Sequence, residues 1–282
     1  MTSINYMNQL SGYELYLYEE ERSQNTIQKY LRDTKKFFAF LGEKELCKAE
    51  VMKFKEQLIQ DYAPASVNSI IAAVNGFLEW LGFANFKVKP LKIQKEIFST
   101  PEKELTQREY ERLIMVAEKK ENRKLSLLLQ TICSTGIRVS ELKHITVSAL
   151  HTGRTVVACK GKNRTVFLPK ELCKALKQYC KENHIVNGSI FITKNGTPLD
   201  RSNIWKMMKK LCKEANVSER KVFPHNLRHL FARTYYKIEK DISRLADILG
   251  HSSINTTRIY TMETGTKHAK QIDKMNLTYS RE

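Results

Sequence analysis

Thr155-Val156-Val157-Ala158-Cys159 and Arg164-Thr165-Val166-Phe167-Leu168 are two short runs rich in β-branched residues, separated by Lys160-Gly161-Lys162-Asn163. β-Branched side chains suit an extended backbone, and a glycine between polar residues suits a tight turn. The spacing therefore predicts a β-hairpin. Outward from it, in both directions, the pattern is helical. Gly (11) and Pro (6) are scarce in 282 residues, so there is little to break helices. Ser189 to Thr193 offers one further strand. The chain reads as mainly α with a small antiparallel β-sheet, an α+β fold.

Upstream, Tyr13, Leu15, Tyr16 and Leu17 open a first apolar segment. Ile27, Tyr30, Leu31, Thr34, Phe37, Phe38 and Leu41 recur at three- and four-residue steps, with Asn25 or Thr26 as N-cap and Gly42 as stop. Val51, Phe54, Leu58 and Ile59 suggest a third helix. A fourth follows Ser66 and ends at Gly82. Residues 1–84 thus read as a helical bundle. Residues 85–103 are Lys-rich and weakly periodic, with Pro90 and Pro101, and read as an extended linker. Thr106-Gln107-Arg108-Glu109 has the form of a capping box that opens a second domain over residues 104–282. Within it, Leu125 to Ile132 predicts a buried helix stopped by Gly136, and helices resume from Ser202.

Charge separates the two parts. Residues 1–90 carry 11 basic and 11 acidic side chains, whereas residues 91–282 carry 37 and 19 and hold the whole net charge of +18. Such an excess draws a polyanion, nucleic acid first; a solvated basic face or an anionic lipid surface would show the same excess. No run of apolar residues is long enough to span a bilayer, and Met1 to Tyr6 lacks the pattern of a secretion signal. Six cysteines at 47, 133, 159, 173, 180 and 212 form no Cys-x-x-Cys pair, which suits reduced thiols in a cytoplasmic protein.

Three polar islands lie in the basic part. In Thr135-Gly136-Ile137-Arg138-Val139-Ser140-Glu141-Leu142, Arg138 follows a helix stop and Glu141 stands one turn on, able to orient the guanidinium. A surface ion pair of little worth has the same spelling. In Pro224-His225-Asn226-Leu227-Arg228-His229, His225 and Arg228 share a helix face. Side by side they suit a phosphodiester, the guanidinium binding oxygens and the imidazole moving a proton. The His225/His229 spacing also fits a metal pair, although no glutamate follows His225, and plain helix packing fits as well. In Leu249-Gly250-His251-Ser252-Ser253-Ile254-Asn255-Thr256-Thr257-Arg258-Ile259-Tyr260, Gly250 closes one helix and Ser253 caps the next. His251 sits at the corner between them, and Tyr260 follows about two turns later. Taken alone, Tyr260 is as well read as a core residue as a nucleophile.

Together, in order and at this spacing, the islands resemble the tyrosine recombinase (phage integrase) family, in the layout of its short Xer-like members. Thr26-x-x-x-Tyr30-x-x-Asp33-x-x-x-Phe37-x-x-Phe40 is similar to the helical core-binding domain of that family, so the likeness spans nearly the whole chain. The resemblance implies a helical, SAM-like DNA-binding domain and a catalytic domain with Arg138, Lys160, His225, Arg228 and His251 around the nucleophile Tyr260. The hairpin reads Cys159-Lys160-Gly161-Lys162 where relatives more often carry Gly-Lys-Gly, so Lys162 rivals Lys160 as the catalytic lysine. Leu230 stands where a small Ser or Thr is usual, a matter of packing.

That resemblance further implies a site-specific recombinase or integrase acting through a 3′-phosphotyrosyl intermediate, without metal, cofactor or ATP. In this chemistry the cations favour the phenolate of Tyr260 and His225 takes its proton. The partners implied are double-stranded DNA sites and, on two such sites, a homotetramer of a chain that is monomeric in solution. Residues past Tyr260, through Ile272, Met275 and Leu277, would dock on a neighbouring copy. No extra N-terminal arm-binding domain is evident, which favours simple core-site recombination: integration or excision of a mobile element, or dimer resolution. A DNA-binding protein without chemistry and a type IB topoisomerase are the competing classes. The first has no use for Tyr260 with both arginines, and the second would relax supercoiled DNA without a defined site.

Overall fold

A computed structural model describes residues 7–93, 101–159, 162–260 and 272–275. The side chains of Pro101, Cys159 and Lys162 lie outside that description. The chain divides into two compact units between Lys95 and Glu96. Among the described residues, no helix is long and apolar enough to cross a membrane.

The N-terminal unit is built from α1 (Leu10–Glu19), α2 (Gln24–Leu41), α3 (Lys48–Asp61) and α4 (Pro64–Trp80). Helix α2 starts two or three residues earlier than the sequence suggests. Ser23 is the N-cap, and its hydroxyl accepts the Thr26 N–H. Pro64, fixed near helical φ and needing no N–H partner, starts α4 in place of Ser66. The apolar stripe of α2 buries Ile27, Phe37, Phe38 and Leu41, and the core is largely aromatic. Tyr13 meets Phe77 edge-on at 5.0 Å, and Phe37 lies 5.2 Å from Phe54. Gly76 permits this approach, because a Cβ there would stand 2.9 Å from the Tyr13 hydroxyl.

Beyond α4, part of the stretch read as linker is tied down. The Asn75 side chain exchanges two hydrogen bonds with Val88 (2.8 and 3.1 Å), and Asn68 does the same with Leu91 (2.9 and 2.7 Å). A side-chain amide offers both a donor and an acceptor, so each Asn satisfies an extended residue as a neighbouring strand would.

The C-terminal unit contains α5 (Gln107–Lys119), α6 (Arg123–Thr135), α7 (Val147–Thr152), β1 (Arg154–Cys159), β2 (Lys162–Phe167), α8 (Lys170–Glu182), α9 (Arg201–Lys209), α10 (Pro224–Glu239), α11 (Ile242–Leu249) and α12 (Ile254–Thr257). Thr106 and Glu109 form the reciprocal capping box at the start of α5. Helix α6 is buried along most of its length, through Leu125, Leu127, Leu128, Leu129 and Ile132, and is the centre of the core. The two strands pair antiparallel from Arg154↔Phe167 to Cys159↔Lys162, so Lys162 and Asn163 belong to β2 and not to the turn. The architecture is the mainly helical one with a small antiparallel sheet.

Ser189 to Thr193 forms no strand. Isolated bridges join Thr146 to Ser189 and Ile192 to Pro198, with Ile190 and Phe191 buried between them. Its apolar content serves the core without a ladder. Cys47, Cys133, Cys173, Cys180 and Cys212 are free thiols.

Candidate active site

Backbone turns, more than helix faces, place the site. Helix α6 ends at Gly136 with φ of 63°, and a Cβ there would meet the Phe231 ring at 2.4 Å. Glycine makes both the left-handed turn and the close packing. The chain then runs extended through Arg138 into a 3₁₀ turn, Val139–His144. Glu141, buried in that turn, accepts the Arg138 backbone N–H at 2.9 Å and Arg138 Nη1 at 3.0 Å. Arg164, reaching over from β2, donates Nη2 to the same carboxylate and Nη1 to the Ile248 carbonyl (2.8 Å). Burial works to raise the Glu141 pKa, but the Arg138 N–H and the two guanidiniums hold it below the usual carboxylate range. One carboxylate thus fixes two arginines.

Arg228, on the first turns of α10, is 1% exposed. Its Nη1 donates to the Gly136 carbonyl, and its Nη2 donates to the Leu249 carbonyl at 2.6 Å. Nη2 also lies 3.2 Å from His251 Nε2. Burial first, then Arg138 and Arg164, bring its pKa down to about 10, so it stays charged at neutral pH. A buried cation held by carbonyls and no carboxylate is poorly compensated. An incoming phosphate would supply the missing negative charge.

The third island is a corner. Gly250, φ 63°, closes α11, and a Cβ there would stand 2.3 Å from Arg164 Cδ. Its carbonyl accepts Arg138 Nη2 at 3.1 Å. His251 is fixed through Nδ1 to the Thr257 hydroxyl at 2.9 Å. Burial, followed by Arg228 and Arg138, lowers its pKa to about 4. Tyr260 ends the described stretch that follows α12. It is 4% exposed and packs against Ala232, Leu245 and Leu249. The Arg228 guanidinium is near enough to pull its pKa down, though burial pulls it further up.

Arg138, Arg228, His251 and Tyr260 therefore gather around the carbonyls of Gly136, Leu249 and Gly250. His225 stands at the exposed edge, and its ring meets His229 at 4.4 Å. Partial burial and then Arg228 lower its pKa. Lys160 lies outside the described residues. The state of Tyr260 differs from the expectation. The cations do pull toward phenolate, but burial outweighs them and the pKa is raised. The DNA-free chain keeps its phenol protonated.

Sequence reasoning missed three contributors. Arg164 reads as an ordinary strand residue, because its partners lie 23 and 84 positions away. Thr257 carries no local mark of a hydrogen bond to His251. His229 was legible only as half of a metal pair, whereas its ring stands between His225 and Tyr260. Among the described residues, no group of three or more His, Cys, Asp or Glu is arranged to hold a metal ion.

A helical N-terminal unit followed by a mainly helical unit with one hairpin, and this gathering of basic groups beside a tyrosine, define the class: a tyrosine-type site-specific DNA recombinase. The chain belongs to the phage integrase family, whose model matches residues 103–266, and the N-terminal SAM-like domain of that family matches residues 10–83. It is 30% identical over 277 residues to the tyrosine recombinase XerA of Pyrococcus furiosus, covering 95% of this chain and 94% of that protein. Among solved structures it resembles a lambda integrase(75-356) dimer bound to a COC′ core site, with a TM-score of 0.74, 19% identity and 100% and 99% of the two chains covered. It also resembles the XerH site-specific recombinase bound to its difH substrate, a pre-cleavage complex, with a TM-score of 0.71, 21% identity and 96% and 85% covered. At those identities the two structural likenesses are likenesses of fold.

Proposed function

We propose that this chain cuts and rejoins double-stranded DNA at specific sites, with Tyr260 as nucleophile. The Tyr260 oxygen attacks the scissile phosphorus, and its proton goes to His225. Arg138 and Arg228 neutralise the non-bridging oxygens as charge builds in the pentavalent transition state. His251 hydrogen-bonds the phosphate. Lys160 protonates the departing 5′ oxygen as its bond to phosphorus breaks. The product is a 3′-phosphotyrosyl link and a free 5′ hydroxyl, which holds the bond energy for religation to a new strand. Positive side chains supply the charge stabilisation.

The observation that carries this reading is the shared anchoring of the two arginines. Arg138 binds the Gly250 carbonyl, Arg228 binds those of Gly136 and Leu249, and Tyr260 lies within electrostatic reach of Arg228. A DNA-binding protein without chemistry has no reason to bury Arg228 beside a tyrosine.

Residues 1–84 would serve as the DNA-binding core domain, residues 85–103 as linker and residues 104–282 as the catalytic domain. Action at specific DNA sites suits relatives named as a tyrosine recombinase, a XerH recombinase bound to a difH substrate and a lambda integrase bound to a core site. We extend it, on the family resemblance, to a homotetramer on two sites assembled from cytoplasmic monomers, acting in integration or excision of a mobile element or in dimer resolution. Exchange of C-terminal segments suits the exposure of Ile272 and Met275, while Leu277 lies outside the described residues.

Incubation with a nicked suicide substrate bearing candidate sites, followed by a denaturing gel and peptide mapping, tests the nucleophile. Wild-type chain is expected to form a covalent adduct, and Tyr260→Phe none. An adduct that survives the substitution transfers the role to Tyr235, Tyr236 or Tyr279.

A further inference from the structure

His229 lies one helical turn beyond His225 on α10, between that residue and the proposed nucleophile. Its ring meets His225 at 4.4 Å and 65°, and Tyr260 at 4.8 Å and 80°, both edge to face. On another side of the phenol, His251 is nearly parallel at 6.0 Å and 23°. His229 Nε2 is buried and has no hydrogen-bond partner among the described residues. Leaving a buried polar atom unsatisfied costs about 1–3 kcal/mol, which a phenyl ring in the same place would not incur.

The ring is neutral. Burial, followed by His225, Arg233, Arg228 and His251, lowers its pKa to about 3. A neutral imidazole carries one N–H donor and one bare nitrogen, so it can take a proton at one side and release another at the opposite side. Of the side chains whose rings meet it, Tyr260 is the one that must lose a proton in the proposed reaction.

We propose that His229 relays the Tyr260 proton to His225. As the Tyr260 oxygen bonds to phosphorus, Nε2 takes the phenolic proton and Nδ1 gives its own to His225. His229 ends neutral with its tautomer exchanged, and His225 ends protonated. At phosphorus the bond to the 5′ oxygen breaks and that oxygen leaves with a proton from the lysine. The relay rests on Tyr260 being the nucleophile, as proposed above.

The test is single-turnover adduct formation by the full chain on the nicked suicide substrate. His229→Phe keeps an aromatic ring against Tyr260 and removes both nitrogens. It is expected to bind DNA as wild type does and to form adduct about 100-fold more slowly, in the range of a lost acid–base step. The defect should persist on a substrate with sulfur in place of the bridging 5′ oxygen, since that leaving group needs no proton; Lys160→Ala should be restored by it. In His229→Ala, added imidazole should recover part of the rate. Wild-type rates in His229→Phe, or rescue of that variant by the sulfur substrate, would overturn the relay. Tyr260→Phe run alongside separates the two ideas: adduct there removes the nucleophile itself, whereas no adduct there with a fully active His229→Phe removes only the relay.

Discussion

The two units bury their largest side chains for opposite reasons. In the N-terminal unit those side chains are Tyr13, Phe37, Phe38, Phe54 and Phe77, a core that is stable because aromatic surface leaves water. In the C-terminal unit the largest fully buried side chain is Arg228, a cation held by backbone carbonyls. One unit is neutral over residues 1–90, and the other carries the whole excess of +18. Burial in the first is an end in itself. In the second it costs stability and leaves an unmet need for an anion, which DNA would supply.

The sharpest way to break that comparison is to remove the buried cation and watch folding and chemistry separately. Arg228→Ala is expected to lower adduct formation by about 1,000-fold or more, on the scale of losing a preorganised oxyanion donor. It also leaves the Gly136 and Leu249 carbonyls without their donor, at about 1–3 kcal/mol each, offset in part by relief of the buried charge. Arg138→Ala should cost a similar factor in cleavage with a smaller change in Tm, because its side chain is 28% exposed and already paired with Glu141. DNA affinity measured by gel shift should change little in either variant. If binding and cleavage fell together, the arginines would be ordinary phosphate anchors.

A contrasting change belongs to the other unit. Phe77→Ala removes a ring in contact with Tyr13, Phe38 and Trp80. Large-to-small aromatic substitutions in cores cost about 3–5 kcal/mol, so urea unfolding of the N-terminal unit should move to much lower denaturant. Adduct formation at saturating DNA should nevertheless approach the wild-type rate, since no group of the pocket is touched. A chemical defect as large as that of Arg228→Ala would mean that stability and chemistry are not divided between the two units.

How much of this was legible in the sequence follows the same division. The apolar stripes of α2 and α4 announced themselves by period, because a helix face needs only local spacing. The capping box at Thr106 and the glycine stops at 136 and 250 were legible for the same reason. Errors of detail fell where tertiary hydrogen bonds decide: Ser23 in place of Asn25 or Thr26 as cap, and Asn75 and Asn68 holding residues that read as linker. In the pocket, the islands were visible because glycine, histidine and arginine are unusual neighbours. Arg164 was not, since a strand residue whose partners are Glu141 and Ile248 leaves no trace in its own neighbourhood. Nor did residue types reveal that burial would outweigh the cations at Tyr260, because desolvation depends on what the rest of the chain packs around the phenol.

The smallest expected effect is one of pH, and it separates the units without touching the reaction. His229 and His251 have folded pKa values of about 3 and about 4, both lowered from an ordinary value of 6.5, burial being the largest cause. As pH falls below 6.5 the unfolded chain takes up protons that the folded chain refuses, so stability declines with falling pH. Each fully refused proton contributes at most about 1.4 kcal/mol per pH unit, and less where solvent reaches the ring. Glu141, whose pKa is lowered from 4.5 on folding, adds a slope of the same sign only as pH nears 5, so the upper part of the interval between pH 6.5 and 5 reports the histidines. Thermal unfolding of the C-terminal unit should therefore fall over that interval. His229→Phe should flatten the fall, and Phe77→Ala should leave its slope unchanged. A slope indifferent to His229 would mean that its imidazole titrates in the folded chain as it does in the unfolded one, so that burial beside Tyr260 does not hold it neutral.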